Sequence, residues 1–466
     1  MRNKIVLLSS LFLAQNLTAG TIALSNEQQT DLSLTLYSSN LALVQDSRIL
    51  GAINEKDEII VTGISKQMHP QSLQIANAGK ILAQTLNRDI VSYQGLINEH
   101  IGKEIVLVKD GNNGEEIRQS VKLLNVTNNT AIVALNSNIE TIPLQSNSWR
   151  FVFPNSTENL RLKPSLTFKS EGKSTTNNVQ LSYLTNGLEW RMDYVLVLNK
   201  NRDKLNFKGL ASLFNNTDTL FNNAKIKLLA GDIAQPRQQQ YSLDTQAPAM
   251  LMAKSAAREN APSNIGDLKL YKLPNRATLQ PHQQTQIPLL QAEQVAAITR
   301  YRHQFYVNPY LDNHELKTSP STYISIENKK DNKLGISLPQ GQARVYTPDE
   351  NNELQFIGAS QLRQSNEGDK IELTTGKAFD ISIKQRQTNY EKTFDGALVG
   401  MQLIISNHSS TEKTLDLSAS FNNNWEIISS TYPANKKSSA NVEWNIKLRA
   451  NSSNVFNLKT RIKNRK

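Results

Sequence analysis

The chain carries no cysteine in 466 residues. That absence excludes disulfides, cysteine-bound zinc, iron–sulfur clusters, thiol nucleophiles and lipid attached through an N-terminal cysteine. Histidine is scarce too. His69, His100, His282, His303, His314 and His408 are the only six, and no two stand at a spacing that puts both imidazoles on one metal. Neither a metal nor a cofactor is therefore expected. Hydrophobic residues reach 38% and aromatics 6%, a low apolar share for a globular chain. No apolar run approaches the ~20 residues of a membrane-spanning helix. The few aromatics and uneven strand lengths also argue against the girdles of an outer-membrane barrel. P-loop, GxGxxG, GxSxG and SxxK patterns are absent as well.

Of what is present, the first twenty residues speak most clearly. Arg2 and Lys4 precede an apolar run over 5–14, and the small-residue segment Leu17-Thr18-Ala19-Gly20 follows. That order predicts a secretory signal peptide over 1–20, cleaved after Ala19 or Gly20. Export without cystines suits the periplasm or cell surface of a bacterium. Removing 1–20 takes two cations and no acid, so the formal charge of +11 becomes +9. The excess is dispersed, apart from Lys459, Arg461, Lys463, Arg465 and Lys466 at the C-terminus. Those residues read as a frayed, solvated end, with a weak contact to anionic lipid as the alternative. Without interleaved aromatics they do not suggest a nucleic-acid partner. Asparagine is unusually frequent, roughly one residue in nine. Its doublets suit tight turns that need φ > 0, and the sequons at Asn155 and Asn215 carry little weight in a bacterial protein.

Nearly every apolar segment alternates with period two, which predicts an all-β fold. An N-terminal β region spans 21–95. Short strands at close spacing over 96–150 suggest a small SH3-sized, barrel-like module. Longer strands over 160–233 suit the first part of a β-sandwich. Residues 234–266 lose all alternation and read as a flexible linker with a short helix over 250–259. Strands resume over 267–466, whose last hundred residues resemble an immunoglobulin-like sandwich without its disulfide.

Chemistry is thinly signalled. Glu189 and Asp193 stand four apart on one strand and so point to one face. They are the only catalytic candidates, as a carboxylate pair of the glycosidase kind if buried together at a suitable distance. The plainer reading makes them polar positions flanking Trp190. The Asp110-x-Asn112-x-Gly114 pattern lacks the bidentate glutamate of a calcium loop and reads as a hairpin turn. Trp149, Trp190, Trp425 and Trp444 lie in alternating apolar contexts, where core packing outweighs a sugar-stacking platform.

Several segments together resemble an exported bacterial family of unknown function. They are Leu36-Tyr37-x-x-Asn40-Leu41-Ala42-Leu43-Val44-x-Asp46-x-Arg48, Leu181-Ser182-Tyr183-Leu184-x-x-Gly187-Leu188-x-Trp190-x-x-Asp193-Tyr194, Leu228-Leu229-Ala230-Gly231-Asp232-Ile233, Leu338-Pro339-x-Gly341-x-x-Arg344-Val345-Tyr346 and Gly376-x-Ala378-Phe379-Asp380. The C-terminal module is shared with mucoidy-inhibitor-like proteins, although their long coiled coil is missing. The resemblance implies a β-rich envelope protein and brings no catalytic residues. Its shared residues suggest fold grammar: Gly187 and Gly341 in turns, Trp190 and Phe379 in the core, Asp193 and Asp380 bonding backbone at strand ends. Two functional readings follow. The first is a non-enzymatic binder of another envelope component, protein or glycan. The second is a hydrolase of envelope polysaccharide or peptide acting through clustered carboxylates.

Overall fold

Alternation of apolar and polar residues produces strands almost everywhere. In the computed structural model the described residues are 20–51, 57–87, 93–110, 115–145, 149–154, 163–171, 178–231, 233, 262–422 and 424–463. The expected signal peptide (to residue 19), positions 111–114 of the expected hairpin turn, the Asn155 sequon, residues 234–261 of the expected linker with its expected helix, and Arg465 and Lys466 lie outside them. Among the described residues the only α-helix is Tyr93–Glu99, which buries Ile97 alone. The chain divides into two units. The first draws on Met1–Glu189, Phe214–Lys227 and Asn275–Gln283, and the second on Trp190–Leu213, Leu228–Pro274 and Gln284–Lys466.

In the first unit, Gln29–Tyr37, Ala42–Ile49 and Asn178–Thr185 pair antiparallel. Val44, Leu34, Leu36, Leu181 and Tyr183 are buried. A second sheet sets Thr21–Leu24 parallel to Glu58–Thr62, with Ser165–Glu171 and Lys80–Asn87 following antiparallel. Arg48 lies wholly buried, at 0% exposure. Its Nε and Nη2 donate to Asp46 Oδ2 at 3.0 and 2.7 Å, and Nη1 donates to the carbonyls of Leu24 and Thr62. A buried ion pair is tolerable when its lone pairs and protons are satisfied in this way. The small module is an antiparallel sheet in the order Asn138–Pro143, Thr130–Leu135, Glu116–Thr127, Glu104–Asp110, Arg150–Val152. It closes over Ile97, Ile105, Leu107, Val121, Leu123 and Val133. Asn128 and Asn129, both at positive φ, form its two-residue hairpin. Eight of the twelve described non-glycine residues with positive φ are asparagine, so the composition serves turn geometry.

In the second unit, Leu188–Leu198 runs parallel to Gly341–Pro348, which pairs antiparallel with Leu354–Leu362. The 24-residue strand Gln283–Tyr306 links this sheet to Lys413–Ser420 and Asn441–Leu448. Opposite them lies a sheet of Leu316–Thr318, Ile381–Thr393, Gly396–Asn407, Ser452–Lys463 and Asn424–Ser430. Phe305, Leu417, Trp444, Leu403 and Phe456 fill the space between the two sheets of this sandwich. Inside the stretch expected as linker, 234–266, Ser263–Ile265 already forms a hairpin with Leu268–Lys272.

Three expectations need correcting. Gly341 is not a turn residue. It sits opposite Met192 in the parallel pair, where a Cβ would run into the Met192 carbonyl oxygen. Phe379 is not in the core but 99% exposed. The strand starts only at Ile381, so the parity that buries Ile381 and Ile383 stops short of it. Lys459, Arg461 and Lys463 do not fray; they occupy exposed positions of Ser452–Lys463, in register with Gly400, Leu398 and Gly396.

Both units contain the same corner. Asn215 donates from Nδ2 to the carbonyls of Thr219 and Leu279 and accepts at Oδ1 from Thr217 N and Oγ1. Asn407 donates to the carbonyls of Thr411, Leu448 and Arg449 and accepts from Ser409 N and Oγ. In each, an Asn-x-Thr/Ser-x-Thr segment satisfies the backbone where one strand gives way to the next.

Candidate functional site

Glu189 and Asp193 alternate with the buried Trp190 and Met192 on the half-exposed face of Leu188–Leu198. Four residues of strand separate them by about 13 Å, beyond the ~5–9.5 Å at which glycoside-cleaving carboxylates work. Asp193 is also engaged. Arg344 Nη1 donates to its Oδ1 at 2.9 Å and Ser212 Oγ to its Oδ2 at 2.6 Å, while Gln286 Nε2 bonds Ser212 Oγ. Instead of capping a strand end, it ties neighbouring strands together in mid-strand. The segments that carry the family resemblance thus meet as partners: Asp193 with Arg344, Tyr194 Oη with the Pro339 carbonyl, and Gly187 N with Asn40 Oδ1.

The tryptophans offer no open platform. Trp190 and Trp444 are buried, and Trp149 packs on the core of the small module. One face of Trp425 stacks on Phe421 at 4.5 Å, and Lys436 Nζ sits 5.0 Å from the ring centre.

The concave surface lies elsewhere on the second unit. An open groove of about 700 Å³ is lined by Lys317, Thr318, Ser319, Lys377, Ala378, Phe379, Ser382 and His408. A recess of about 140 Å³ shares Lys377 with it and adds Arg202, Thr299, Thr322 and Thr375 over a floor of Leu198, Ile324 and Ile357. Antiparallel pairing of Ser321–Glu327 with Lys370–Lys377, Ser321 opposite Lys377, carries the lining from recess to groove. Arg202 takes a positive φ in the turn between Leu188–Leu198 and Lys204–Asn215, which sets its side chain at the recess.

The electrostatics of this surface are one-sided. Arg202, Lys317 and Lys377 have no acidic partner among the described residues. Neighbouring arginines do: Arg300 with Asp416, Arg302 with Glu372, and Arg344 with Asp193. Lys317 moreover stands directly opposite Lys384 across the strand pair, a like-charge placement that disfavours the sheet. Burial holds the His303 imidazole below its ordinary range; the Gln385 amide opposes the effect and the Lys377 charge adds to it. Phe379 projects from the groove into water.

Ser382 Oγ and His408 Nε2 lie 3.2 Å apart, the contact a nucleophile makes with its base. The pair is exposed, however, and among the described residues no carboxylate bonds the other ring nitrogen, which a triad needs to orient the imidazole. Nor does any group of three His, Asp or Glu among the described residues converge as a metal site. Sequence reasoning missed this groove, because Arg202, Lys317, Lys377 and His408 come from separate turns and strand ends without a shared period. Phe379 had a signal, in the Gly376-x-Ala378-Phe379-Asp380 segment, but the resemblance suggested a core position for it. No protein-family model and no curated protein sequence matches the chain.

Proposed function

We propose that this is an exported, non-enzymatic β-sandwich protein of a bacterial envelope, and that it binds another envelope component through the groove of its second unit. The N-terminal segment supports export, and the five resembling segments support kinship with an exported family of unknown function. The observation that carries the binding reading is the set of cations without an acidic partner among the described residues, Arg202, Lys317 and Lys377, around a concavity with an exposed aromatic ring. Exposed charge without a counter-ion in the fold contributes little to stability, and a fully exposed phenyl ring contributes less than a buried one. Both are explained by a ligand that covers them.

A photoreactive phenylalanine analogue tests this in cells, placed either at position 379 or at 394, an exposed turn position outside the groove. Position 379 should crosslink an envelope component, and Lys317→Glu with Lys377→Glu should abolish the product. Equal labelling from 379 and 394, or labelling indifferent to the charge reversals, would refute the assignment. Mass spectrometry of the secreted chain should find an N-terminus at Gly20 or Thr21.

A further inference from the structure

We infer that the groove takes a linear acidic glycan, a chain of sugars carrying carboxylate, phosphate or sulfate groups; this rests on the binding reading above and names its ligand. Two cavities joined at Lys377 make successive stations along one track. From Thr375 through the strand end at Lys377 to Phe379 the lining advances four residues, at most about 13 Å, so the track suits an extended polymer better than one small anion. At the recess the donors without a partner among the described residues are Arg202, Lys377 and the Thr322 hydroxyl, because Thr299 and Thr375 already spend their hydroxyl protons on backbone carbonyls. In the groove they are Lys317 and Lys377, with the hydroxyls of Thr318 and Ser319 beside them. Phe379 offers a fully accessible ring face, which suits stacking on the apolar face of a sugar ring. Asp380, the carboxylate next in sequence, does not line either cavity.

The same residues disfavour other polyanions. Single-stranded nucleic acid is held by several aromatics on which successive bases stack, and here Phe379 is the one free ring of the lining, the His408 imidazole being bonded to Ser382. A membrane-docking face presents a row of apolar residues at one level, whereas the groove exposes a single large one among lysines and hydroxyls.

The full exported chain can be tested by affinity electrophoresis and calorimetry. The probes are polygalacturonate, its methyl-esterified neutral form, dextran sulfate, and vesicles of phosphatidylglycerol in phosphatidylcholine. Polygalacturonate or dextran sulfate should be retained, and the methyl ester should not. Raising the salt should weaken binding, since the contacts are exposed charges. Lys377→Glu, which touches both cavities, should lower affinity about tenfold or more, with Arg202→Gln and Lys317→Glu each lowering it less. Phe379→Ala should weaken binding even at salt that removes most of the charge dependence. Unchanged circular dichroism and melting temperature confirm that each variant folds; Lys447→Gln, an exposed strand position that lines neither cavity, serves as the charge control. Failure to retain either polyanion at low salt would overturn the glycan assignment, as would equal retention of the methyl ester or preference for the anionic vesicles. If position 379 still crosslinks an envelope component under those outcomes, the binding reading survives and only the ligand class falls. If neither crosslinking nor retention occurs, both fall.

Discussion

At the scale of single residues, the most consequential side chain for stability is Arg48. Its guanidinium is buried against Asp46 and two backbone carbonyls from neighbouring strands. Replacing it with methionine leaves the Asp46 carboxylate buried with Gln29 Nε2 as its remaining side-chain donor. A loss of about 3–5 kcal/mol is expected, measurable as a lowered urea midpoint. A loss below 1 kcal/mol would show that the pair is dispensable. The Asp46-x-Arg48 spacing was visible in the sequence, and period two places both on one face. That they are buried was not visible, because the carbonyls that complete the shell come from Leu24 and Thr62, on a different sheet. Phe379 teaches the converse. The resemblance suggested a core position for it, and a strand that starts only at Ile381 put it in water.

Strands were largely legible, since one apolar face per strand is the signature that folding requires; their partners, such as the parallel pair of Leu188–Leu198 with Gly341–Pro348, were not. Among the strands, Gln283–Tyr306 was the exception. Its Gln-rich first half buries little, and Gln294 at positive φ interrupts the alternation, so no sustained period marks it. Close strand approach is likewise silent in sequence. Gly341→Ala should destabilise by about 1–3 kcal/mol, because the new methyl meets the Met192 backbone. Gly51→Ala, where a Cβ meets nothing, should be nearly neutral. Equal urea midpoints for the two would contradict the close approach. A polar ladder also crosses four adjacent strands. Tyr323 donates to Asp416, which pairs with Arg300, and Asn445 bonds both. Burial first, then the hydrogen bond to Asp416, pushes the Tyr323 phenol up to about 12. The folded chain therefore keeps this proton after the unfolded chain has lost its own near pH 10. Between about pH 10 and 12 the native state binds more protons than the unfolded one, so stability falls as pH rises. Thermal melts should show that decline, with Tyr323→Phe shallower. Parallel slopes for the two proteins would remove Tyr323 as a contributor.

Over the whole molecule, the absence of cysteine leaves stability to the packed sheets and their hydrogen bonds. The pairings that matter join distant parts of the chain, as when Asp193 meets Arg344 or Tyr194 meets Pro339. Such contacts must wait for long loops to close. Refolding from urea, followed by the fluorescence of buried Trp190 and Trp444, should take seconds or longer. A complete return within a millisecond would contradict a topology dominated by such contacts. The overall class was readable because it depends on the period of the pattern. The groove was not, because its cations are collected from 202, 317 and 377 by that same long-range pairing.

The two asparagine corners have a practical consequence for producing the protein. Asn215-Asn216-Thr217 and Asn407-His408-Ser409 each match the acceptor pattern for N-linked sugar. In the folded protein both carboxamides are buried and fully committed to hydrogen bonds. A eukaryotic secretory host would attach sugar to the nascent chain before either corner closed. A glycan at Asn215 or Asn407 could not then be accommodated without opening the fold, so bacterial expression is the route to native material.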